Sequence, residues 1–322
     1  MRYESRDWDA AVAALQAADE IVIACHVNPD GDALGSLLAC SIGLRQLGKK
    51  TWPSWGTGDL KVPFSYRFLP GADSVVPPGD IPPATTFLAL DCGAADRLGD
   101  LESVAKDAST VINVDHHPGN EDFGTINVVV TTASSTAELA AYLLIDAGVE
   151  LDRDIATCLY TGVVTDTGRF QYANSTPETL RLAADLLAYG VPAPDIASEV
   201  FDSSPFGYLK LLGRMLERAS LFEDERFVYS WVKQQDLRDN GVQMDETEKL
   251  IDHLRGTRAA DVAAMFKEQV DGRYRVSLRS RGSVSVGAIA RSQGGGGHEL
   301  AAGFTANSVE DAVAIILAAL RK

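Results

Sequence analysis

Four short segments of the chain place carboxylates and histidines where an apolar run ends. The first segment, HVNPDGDALGS at residues 26–36, holds His26, Asp30 and Asp32 among residues that favour turns. Two carboxylates placed two residues apart repel each other unless a cation or a proton offsets their charge. The spacing therefore needs an explanation from chemistry.

Three later segments repeat the pattern of an aspartate at the end of an apolar run. Asp91 follows FLAL, the triplet Asp115-His116-His117 follows VINV, and Asp166 lies in the turn TDTG. If the apolar runs are neighbouring parallel strands, their carboxyl ends meet at one edge of a sheet. So many carboxylates stay ionised together only when cations are bound. A lone aspartate at a strand end is more often a helix cap, but the whole set favours metal ligands.

Oxygen and imidazole ligands without thiolates are typical of Mn²⁺ or Mg²⁺ sites, and Zn²⁺, Co²⁺ or Fe²⁺ also fit by geometry. Two ions about 3.5–4 Å apart that share a carboxylate activate a water and hold both oxygens of a phosphoryl displacement. In such a site Asp30 and Asp32 tolerate each other because each can serve a different ion. The pattern therefore indicates phosphoryl chemistry at two metal ions.

The elements around these segments indicate an α/β fold. Buried strands are predicted at residues 20–25, 86–90 and 110–114, and helices at 34–47, 135–147 and 154–164. This alternation predicts βαβ units and a mostly parallel sheet. The second of these helices opens with STAE at residues 135–138, a capping box in which Ser135 and Glu138 each accept a backbone N–H.

The second half of the chain predicts a smaller α/β domain. Strands are predicted at residues 226–232, 261–269 and 273–279, and Asp271-Gly272 between the last two is a typical hairpin turn. From Arg273 to His298 the chain carries five arginines and no acidic residue, although its net charge is −16. Arginine offers a planar fork to phosphate, and successive glycines before His298 let backbone N–H groups approach an anion. This stretch is a candidate phosphate contact.

Composition excludes several classes of function. The 322 residues are 46% hydrophobic and 23% charged, which is typical of a globular protein with one or two domains. The negative charge argues against binding long nucleic acid, and no apolar run is long enough to cross a membrane. The polar N-terminus is unlike a signal peptide, and the four scattered cysteines are expected to be reduced core thiols, so we predict a cytoplasmic protein.

In their order along the chain, the four segments resemble the successive motifs of the DHH phosphoesterases. The run from Gly294 to His298 resembles the glycine-rich signature of the DHHA1 domain that accompanies them. The resemblance covers nearly the whole chain and is closest to the nanoRNase and pAp-phosphatase branch, which includes linear and cyclic dinucleotide phosphodiesterases. It implies a DHH domain at residues 1–190, a connector at 191–220 and a DHHA1 domain at 221–322, with the active site in the cleft between the domains.

The resemblance also implies the roles of individual residues. Two divalent ions are expected, foremost Mn²⁺, with Mg²⁺, Co²⁺ or Zn²⁺ as alternatives. His117 would face the scissile phosphate as a hydrogen-bond donor or acid, and Asp115 would orient its neighbours from behind. One ion would be held by His26, Asp30 and Asp91, and the other by Asp32, Asp91, His116 and Asp166, with Asp91 bridging.

Substrate contacts are implied in the second domain. The choice of Arg279 over Arg275 or Arg281 depends on the register of the hairpin. The full set of implied contacts is Arg279, Ser280, Gly295, Gly296, Gly297 and His298.

The reaction implied is hydrolysis of very short oligonucleotides such as pApA to nucleoside 5′-monophosphates, together with release of phosphate from pAp. Cyclic di-AMP is the main rival substrate. Two other functions stay open: a manganese inorganic pyrophosphatase, against which the glycine run argues, and a regulator that binds nucleotides without turnover. A homodimer is suggested by analogy with the family, and neither long nucleic acid nor a membrane is expected as a partner.

Overall fold

A five-stranded parallel sheet is the framework of the first of two units, Met1–Asp202 and Ser203–Lys322. The computed structural model describes residues 5–57, 60–282 and 284–321. The strands of the first unit are β1 (Glu20–Cys25), β2 (Lys50–Trp55), β3 (Thr86–Leu90), β4 (Thr110–Asp115) and β5 (Ile126–Val129). Its helices are α1 (Trp8–Ala17), α2 (Gly31–Gln46), α3 (Glu102–Asp107), α4 (Thr136–Ala147), α5 (Arg153–Asp166), α6 (Pro177–Leu187) and α7 (Ala193–Ala197).

The three predicted strands β1, β3 and β4 form the centre of the first sheet, whose order is β2-β1-β3-β4-β5. They are apolar and almost wholly buried because helices cover both faces of a parallel sheet. The two edge strands were not predicted. β2 contains Pro53, which is tolerated at an edge, and β5 has only four, mostly half-buried residues.

Helix α2 begins earlier than predicted, at Gly31 instead of residue 34. The carboxylate of Asp30 accepts hydrogen bonds from the backbone N–H groups of Asp32 and Ala33, both at 3.1 Å. An aspartate in this position satisfies two of the donors that a helix start leaves open. Asp32 consequently lies in the first helical turn.

Close packing of small residues joins α2 to α5 and α4. A Cβ at Gly35 of α2 would lie 2.4 Å from the carbonyl oxygen of Cys158 in α5. A Cβ at Gly162 of α5 would lie 2.5 Å from the Cβ of Ala137 and 3.0 Å from Oδ1 of Asp32. The glycines therefore allow the ends of three helices to meet beside the sheet.

The second unit is built on a six-stranded mixed sheet of order β10-β11-β9-β8-β7-β6, in which only β7 and β8 pair in parallel. Its strands are β6 (Ser220–Phe222), β7 (Phe227–Val232), β8 (Val262–Glu268), β9 (Tyr274–Ser280), β10 (Gly296–Gly297) and β11 (Ala301–Ala306). Its helices are α8 (Phe206–Glu217), α9 (Gln234–Asn240), α10 (Leu250–Arg255), α11 (Val286–Ser292) and α12 (Val309–Leu320). The α/β architecture with two domains is confirmed.

The connections include one tight hairpin turn and several short helical turns. Gly272 has φ +82°, and the Asp271 carboxylate accepts the Arg273 N–H at 3.0 Å, so the predicted hairpin turn is confirmed. Short 3-10 helices lie at Phe64–Tyr66, Ala72–Ser74, Pro78–Asp80, Ala95–Leu101 and Asp245–Thr247, and a π-helical turn at Ser198–Asp202.

The structure also bears on the predictions made from composition about the cysteines and about membrane-spanning segments. Cys25, Cys40, Cys92 and Cys158 are buried free thiols, as predicted. Among the described residues, no helix combines the length and the apolar character needed to cross a membrane.

A buried cation contributes to the stability of the second unit. Lys267 on β8 is fully buried, and its Nζ donates to Oε1 of Glu248 at 2.7 Å. Burial opposes the charge of the Glu248 carboxylate, but Lys267 and Arg275 outweigh it and lower the pKa of Glu248 to about 2. The pair therefore stabilises the fold mainly while Glu248 is ionised.

We expect Glu248→Gln to lower the free energy of unfolding by about 1 kcal/mol, because it leaves Lys267 buried without a counter-charge while Glu248 itself is half exposed. Urea denaturation measures this, and the double variant Glu248→Gln/Lys267→Met should recover stability. Since the folded pKa lies below the ordinary 4.5, the contribution is present above pH 4.5 and is lost as the pH falls towards 2. Equal stability of Glu248→Gln and wild type at pH 7 would contradict the assignment.

Candidate metal centre

The predicted ligands of the first unit converge at the carboxyl end of the parallel sheet. His26 directly follows β1, Asp91 follows β3, and His116 follows β4. Asp32 lies in the first turn of α2, and Asp166 is the last residue of α5. Three strand ends and two helix ends therefore position one cluster of side chains.

His26, Asp30 and Asp91 form the first group of potential ligands. Nε2 of His26 lies 3.5 Å from Oδ2 of Asp91 and 4.0 Å from Oδ1 of Asp30. One ligand atom from each of the three residues lies within 4.8 Å of the others. His26 and Asp91 are buried, whereas the side chain of Asp30 is 59% exposed at the edge of the group.

His116, Asp32, Asp91 and Asp166 form the second group. Nε2 of His116 lies 3.7 Å from Oδ1 of Asp91, 3.7 Å from Oδ2 of Asp32 and 3.6 Å from Oδ2 of Asp166. Asp91 thus turns one carboxylate oxygen towards each group. This is the arrangement of a carboxylate shared by two ions.

The donor atoms fit divalent cations. Ligands about 2.1 Å from one ion lie roughly 3 to 4 Å from one another. The distances from the histidine nitrogens to the carboxylate oxygens, 3.5 to 4.0 Å in both groups, match this range. The described donors are carboxylate oxygens and imidazole nitrogens, which suit Mn²⁺, Mg²⁺ or Zn²⁺. The residues present therefore fit a pair of metal ions.

Burial and mutual repulsion perturb the acidity of these groups. Burial, with the charges of Asp91 and Asp166, raises the pKa of Asp32 well above its usual range. Burial also raises the pKa of Asp166 to about 6. Burial works in the same direction on Asp91, but its hydrogen bond with His26 and the charges of the three histidines outweigh it and lower the pKa of Asp91. Bound cations would relieve the repulsion among these carboxylates.

The start of α4 fixes two of the potential ligands, a role that the sequence did not reveal. The backbone N–H groups of Thr136 and Ala137 donate to the two oxygens of Asp32 at 2.7 and 2.8 Å. The hydroxyl of Thr136 donates to Oδ1 of Asp91 at 2.9 Å. Both carboxylates are therefore held in orientation by the same helix end.

The capping box at this helix start is only partly as predicted. The Ser135 hydroxyl accepts the Glu138 N–H at 3.0 Å, which confirms the first half. The carboxylate of Glu138 accepts from the backbone N–H and hydroxyl of Ser134, not from Ser135. The hydroxyl-rich run TTASST at residues 131–136, where the helix begins, is the signal in the sequence that could have indicated this role.

His117 is held by a buried carboxylate. Its Nδ1 lies 2.8 Å from Oδ1 of Asp115, which is fully buried, and Oδ2 of Asp115 accepts from Nδ2 of Asn120 at 2.6 Å. Burial opposes protonation of His117, but the hydrogen bond to Asp115 and nearby carboxylates raise the pKa of His117 to about 10. Its side chain is 27% exposed against 2% for His116, so His117 is the histidine of the triplet that a ligand can reach. Asn120 was not predicted.

In the second unit, the predicted contact Arg279 differs from most of its basic neighbours. Its Nη1 donates to the Leu278 carbonyl oxygen at 3.0 Å, and its Nε is buried without a hydrogen-bond partner. Neither Arg279 nor Arg281 has a salt bridge to a carboxylate among the described residues. The other three arginines of the stretch pair with acids: Arg273 with Asp271, Arg275 with Glu248 and Arg291 with Glu299. Arg279 therefore keeps donors for an anion.

Ser280 and Arg279 are neighbours on β9, so their side chains point to opposite faces of the sheet. Ser280 is buried, and its hydroxyl accepts the Gly282 N–H at 3.2 Å. The two side chains therefore do not form one contact surface, and the role of Ser280 stays a prediction.

The glycine run is part of the sheet. Gly296 and Gly297 form β10, which pairs with β11 at the edge. A Cβ at Gly295 would lie 2.2 Å from the Gly303 carbonyl oxygen, and Gly297 has φ +123°. Packing thus accounts for two of the glycines, while a Cβ at Gly296 would meet open space. Substrate contact by these glycines and by His298, which follows the strand, stays a prediction.

The chain is similar to known proteins over most of its length. Residues 20–163 match the model described as "DHH family, N-terminal domain", and residues 224–322 match the "DHHA1 domain". The bifunctional oligoribonuclease and PAP phosphatase NrnA of Thermus thermophilus is 35% identical over 312 residues, which cover 95% of this chain and 91% of that protein. The protein of the same name from Bacillus subtilis is 28% identical, with 95% of each chain covered.

Two solved structures resemble this one. An exopolyphosphatase-related protein from Bacteroides fragilis is 26% identical and has a TM-score of 0.86, with coverage of 97% of this chain and 96% of that one. The exonuclease RecJ bound to manganese has a TM-score of 0.54 at 13% identity, with coverage of 99% and 96%, so it shares the fold.

Proposed function

The chain belongs to the DHH family and carries the DHHA1 domain, and on that premise we propose that it hydrolyses short oligoribonucleotides to nucleoside 5′-monophosphates. We propose release of phosphate from pAp as its second reaction, since the relatives are named for both activities. The observation that carries the proposal is the shared Asp91, with one oxygen towards each of two groups of potential ligands.

In this proposal the six predicted ligands hold two divalent ions, foremost Mn²⁺. Bound there, the ions would lower the pKa of a water and offset the charge of a phosphate. The N-terminus of α4 keeps the oxygens of Asp32 and Asp91 in place. His117, aligned by Asp115, donates a hydrogen bond to the phosphate and a proton to the leaving oxygen. Asp115 acts through His117, as a positioning residue.

The experiment that tests the function is product analysis by chromatography. Purified protein with Mn²⁺ is incubated separately with pApA, a five-nucleotide RNA, pAp, cyclic di-AMP and pyrophosphate, each beside Asp91→Ala. AMP from pApA and mononucleotides from the RNA, absent with the variant, are expected. Cleavage of cyclic di-AMP at a higher rate than pApA would favour the rival substrate. Cleavage of pyrophosphate alone, or tight binding without product, would overturn the proposal.

Replacing Arg279 with alanine is expected to raise KM for pApA about 10- to 100-fold, because a charge-assisted contact to phosphate is lost. We expect kcat and Mn²⁺ content to change little, since Arg279 is proposed to bind substrate and not metal. The matched control is Arg273→Ala, just before the start of the same strand, where the side chain already pairs with Asp271. Equal KM values for the two variants would remove Arg279 from the site.

The proposed location is the cytoplasm, and the proposed partners are small nucleotides. The four buried free thiols support this location, because disulfides are rare in reducing compartments. A homodimer is proposed by analogy with the family. Light scattering during size-exclusion chromatography tests it.

A further inference from the structure

One basic side chain that the sequence did not single out lies beside the first group of potential ligands. Nη2 of Arg97 is 3.4 Å from Nδ1 of His26. That ring nitrogen lies closer, at 2.9 Å, to the carbonyl oxygen of Val27. If Nε2 of His26 offers its lone pair to a cation, Nδ1 carries the proton and donates it to Val27. The guanidinium therefore has no acceptor on this ring.

The backbone around Arg97 is fixed in place. The Val27 N–H donates to the Arg97 carbonyl oxygen at 2.9 Å, and the Asp100 N–H donates to the Gly56 carbonyl oxygen at 3.2 Å. Gly99 has φ +56°, and a Cβ there would lie 2.2 Å from the Gly56 oxygen. The backbone of Arg97 is thus bonded directly to the residue after His26, and the turn that follows Arg97 is bonded to Gly56, just after β2.

The positive charge of Arg97 is unfavourable in this place once the neighbouring carboxylates and His26 hold a metal ion. A guanidinium beside an imidazole that is to hold a metal ion repels that ion. Among the described carboxylates, none forms a salt bridge with Arg97, and its side chain is exposed. A bound phosphate group would offset the repulsion between the guanidinium and the metal ion, because the planar guanidinium pairs with two phosphate oxygens at once.

We propose that Arg97 binds a non-bridging oxygen of the substrate phosphate at the His26 side of the metal centre. The inference rests on the proposed function and adds a substrate-binding residue from the first unit. The positive charge of Arg97 would then attract the substrate phosphate at a place where the neighbouring carboxylates would otherwise repel that phosphate.

The test compares Arg97→Gln and Arg97→Lys with the control Arg153→Gln. Arg153 is exposed at the first position of α5, so about 20 Å of helix separates it from Asp166 at the other end. For Arg97→Gln we expect KM for pApA to rise about 10- to 100-fold, with kcat within a few-fold of wild type. Mn²⁺ affinity should be equal to that of wild type or higher, because the variant removes a positive charge beside His26. Arg97→Lys should recover part of the loss because it keeps the charge but not the fork.

An unchanged KM in Arg97→Gln would overturn the inference. Loss of Mn²⁺ affinity in that variant would also overturn it, since Arg97 would then support His26 instead of the substrate. If wild type cleaves none of the substrates, the proposed function fails, and calorimetry with inorganic phosphate on the Mn²⁺-loaded proteins decides the role of Arg97. Weaker phosphate binding by Arg97→Gln than by Arg153→Gln supports the inference; equal binding, or none in either, rejects it.

Discussion

Replacing Asp91 with alanine is expected to lower kcat for pApA at least about 1,000-fold and to reduce the bound metal from two ions to one or none. Among the residues that the structure describes, Asp91 is the one that offers an oxygen to both groups of potential ligands. Its removal therefore disrupts both ion sites, whereas removal of Asp30 or Asp166 would affect one.

Metal content by atomic emission spectroscopy and initial rates with Mn²⁺ measure this effect. Asp91→Asn is the matched variant, because the amide can still accept the hydrogen bond that Thr136 donates to the carboxylate. We expect it to fold like wild type by circular dichroism and still to lose turnover. Two bound ions with full activity in either variant would contradict the shared role of Asp91.

The second large effect is expected at His117. Replacing it with alanine should lower kcat about 100- to 10,000-fold, the range over which a positioned general acid contributes. Metal content should stay that of wild type, because neither group of potential ligands at Asp91 depends on His117 in the proposal. His253, on α10 outside all the motifs, provides the control variant His253→Ala.

The hydrogen bonds that link Asn120 to Asp115 and Asp115 to His117 allow the catalytic role of His117 to be tested separately from folding. Asp115 is fully buried, so Asp115→Asn changes both the stability of the fold and the alignment of the His117 ring. Asn120→Ala removes one donor to Asp115 together with the Asn120 hydrogen bonds to Cys92, Asn113 and Asp122. If it folds like wild type by circular dichroism, it should lower kcat less than His117→Ala and leave KM and metal content unchanged. A loss of metal in His117→Ala, or wild-type kcat, would assign His117 a different function.

The sequence was sufficient for the parts of the site that local patterns control. β1, β3 and β4 were recognised because strands buried on both faces are continuous apolar runs, and a predicted ligand follows each of them. The start of α2 was placed too late because an aspartate cap looks the same as a loop residue until its hydrogen bonds are known. Edge strands carry weaker signals, so β2 and β5 were missed.

Residues that act across the fold were out of reach of the sequence. Thr136 lies 45 positions from Asp91 and 104 from Asp32, and Arg97 lies 71 from His26. No local spacing predicts such contacts, because they arise only when the sheet brings distant loops together. The difference between Arg279 and its neighbour Arg275 on β9 likewise appears only in the fold, where Arg275 forms a salt bridge with Glu248.

The ends of α2, α4 and α5 meet only because Gly35 and Gly162 let the helices approach. An unfolded chain has no such meeting point, so divalent ions that bind there select the native state and add their binding free energy to its stability.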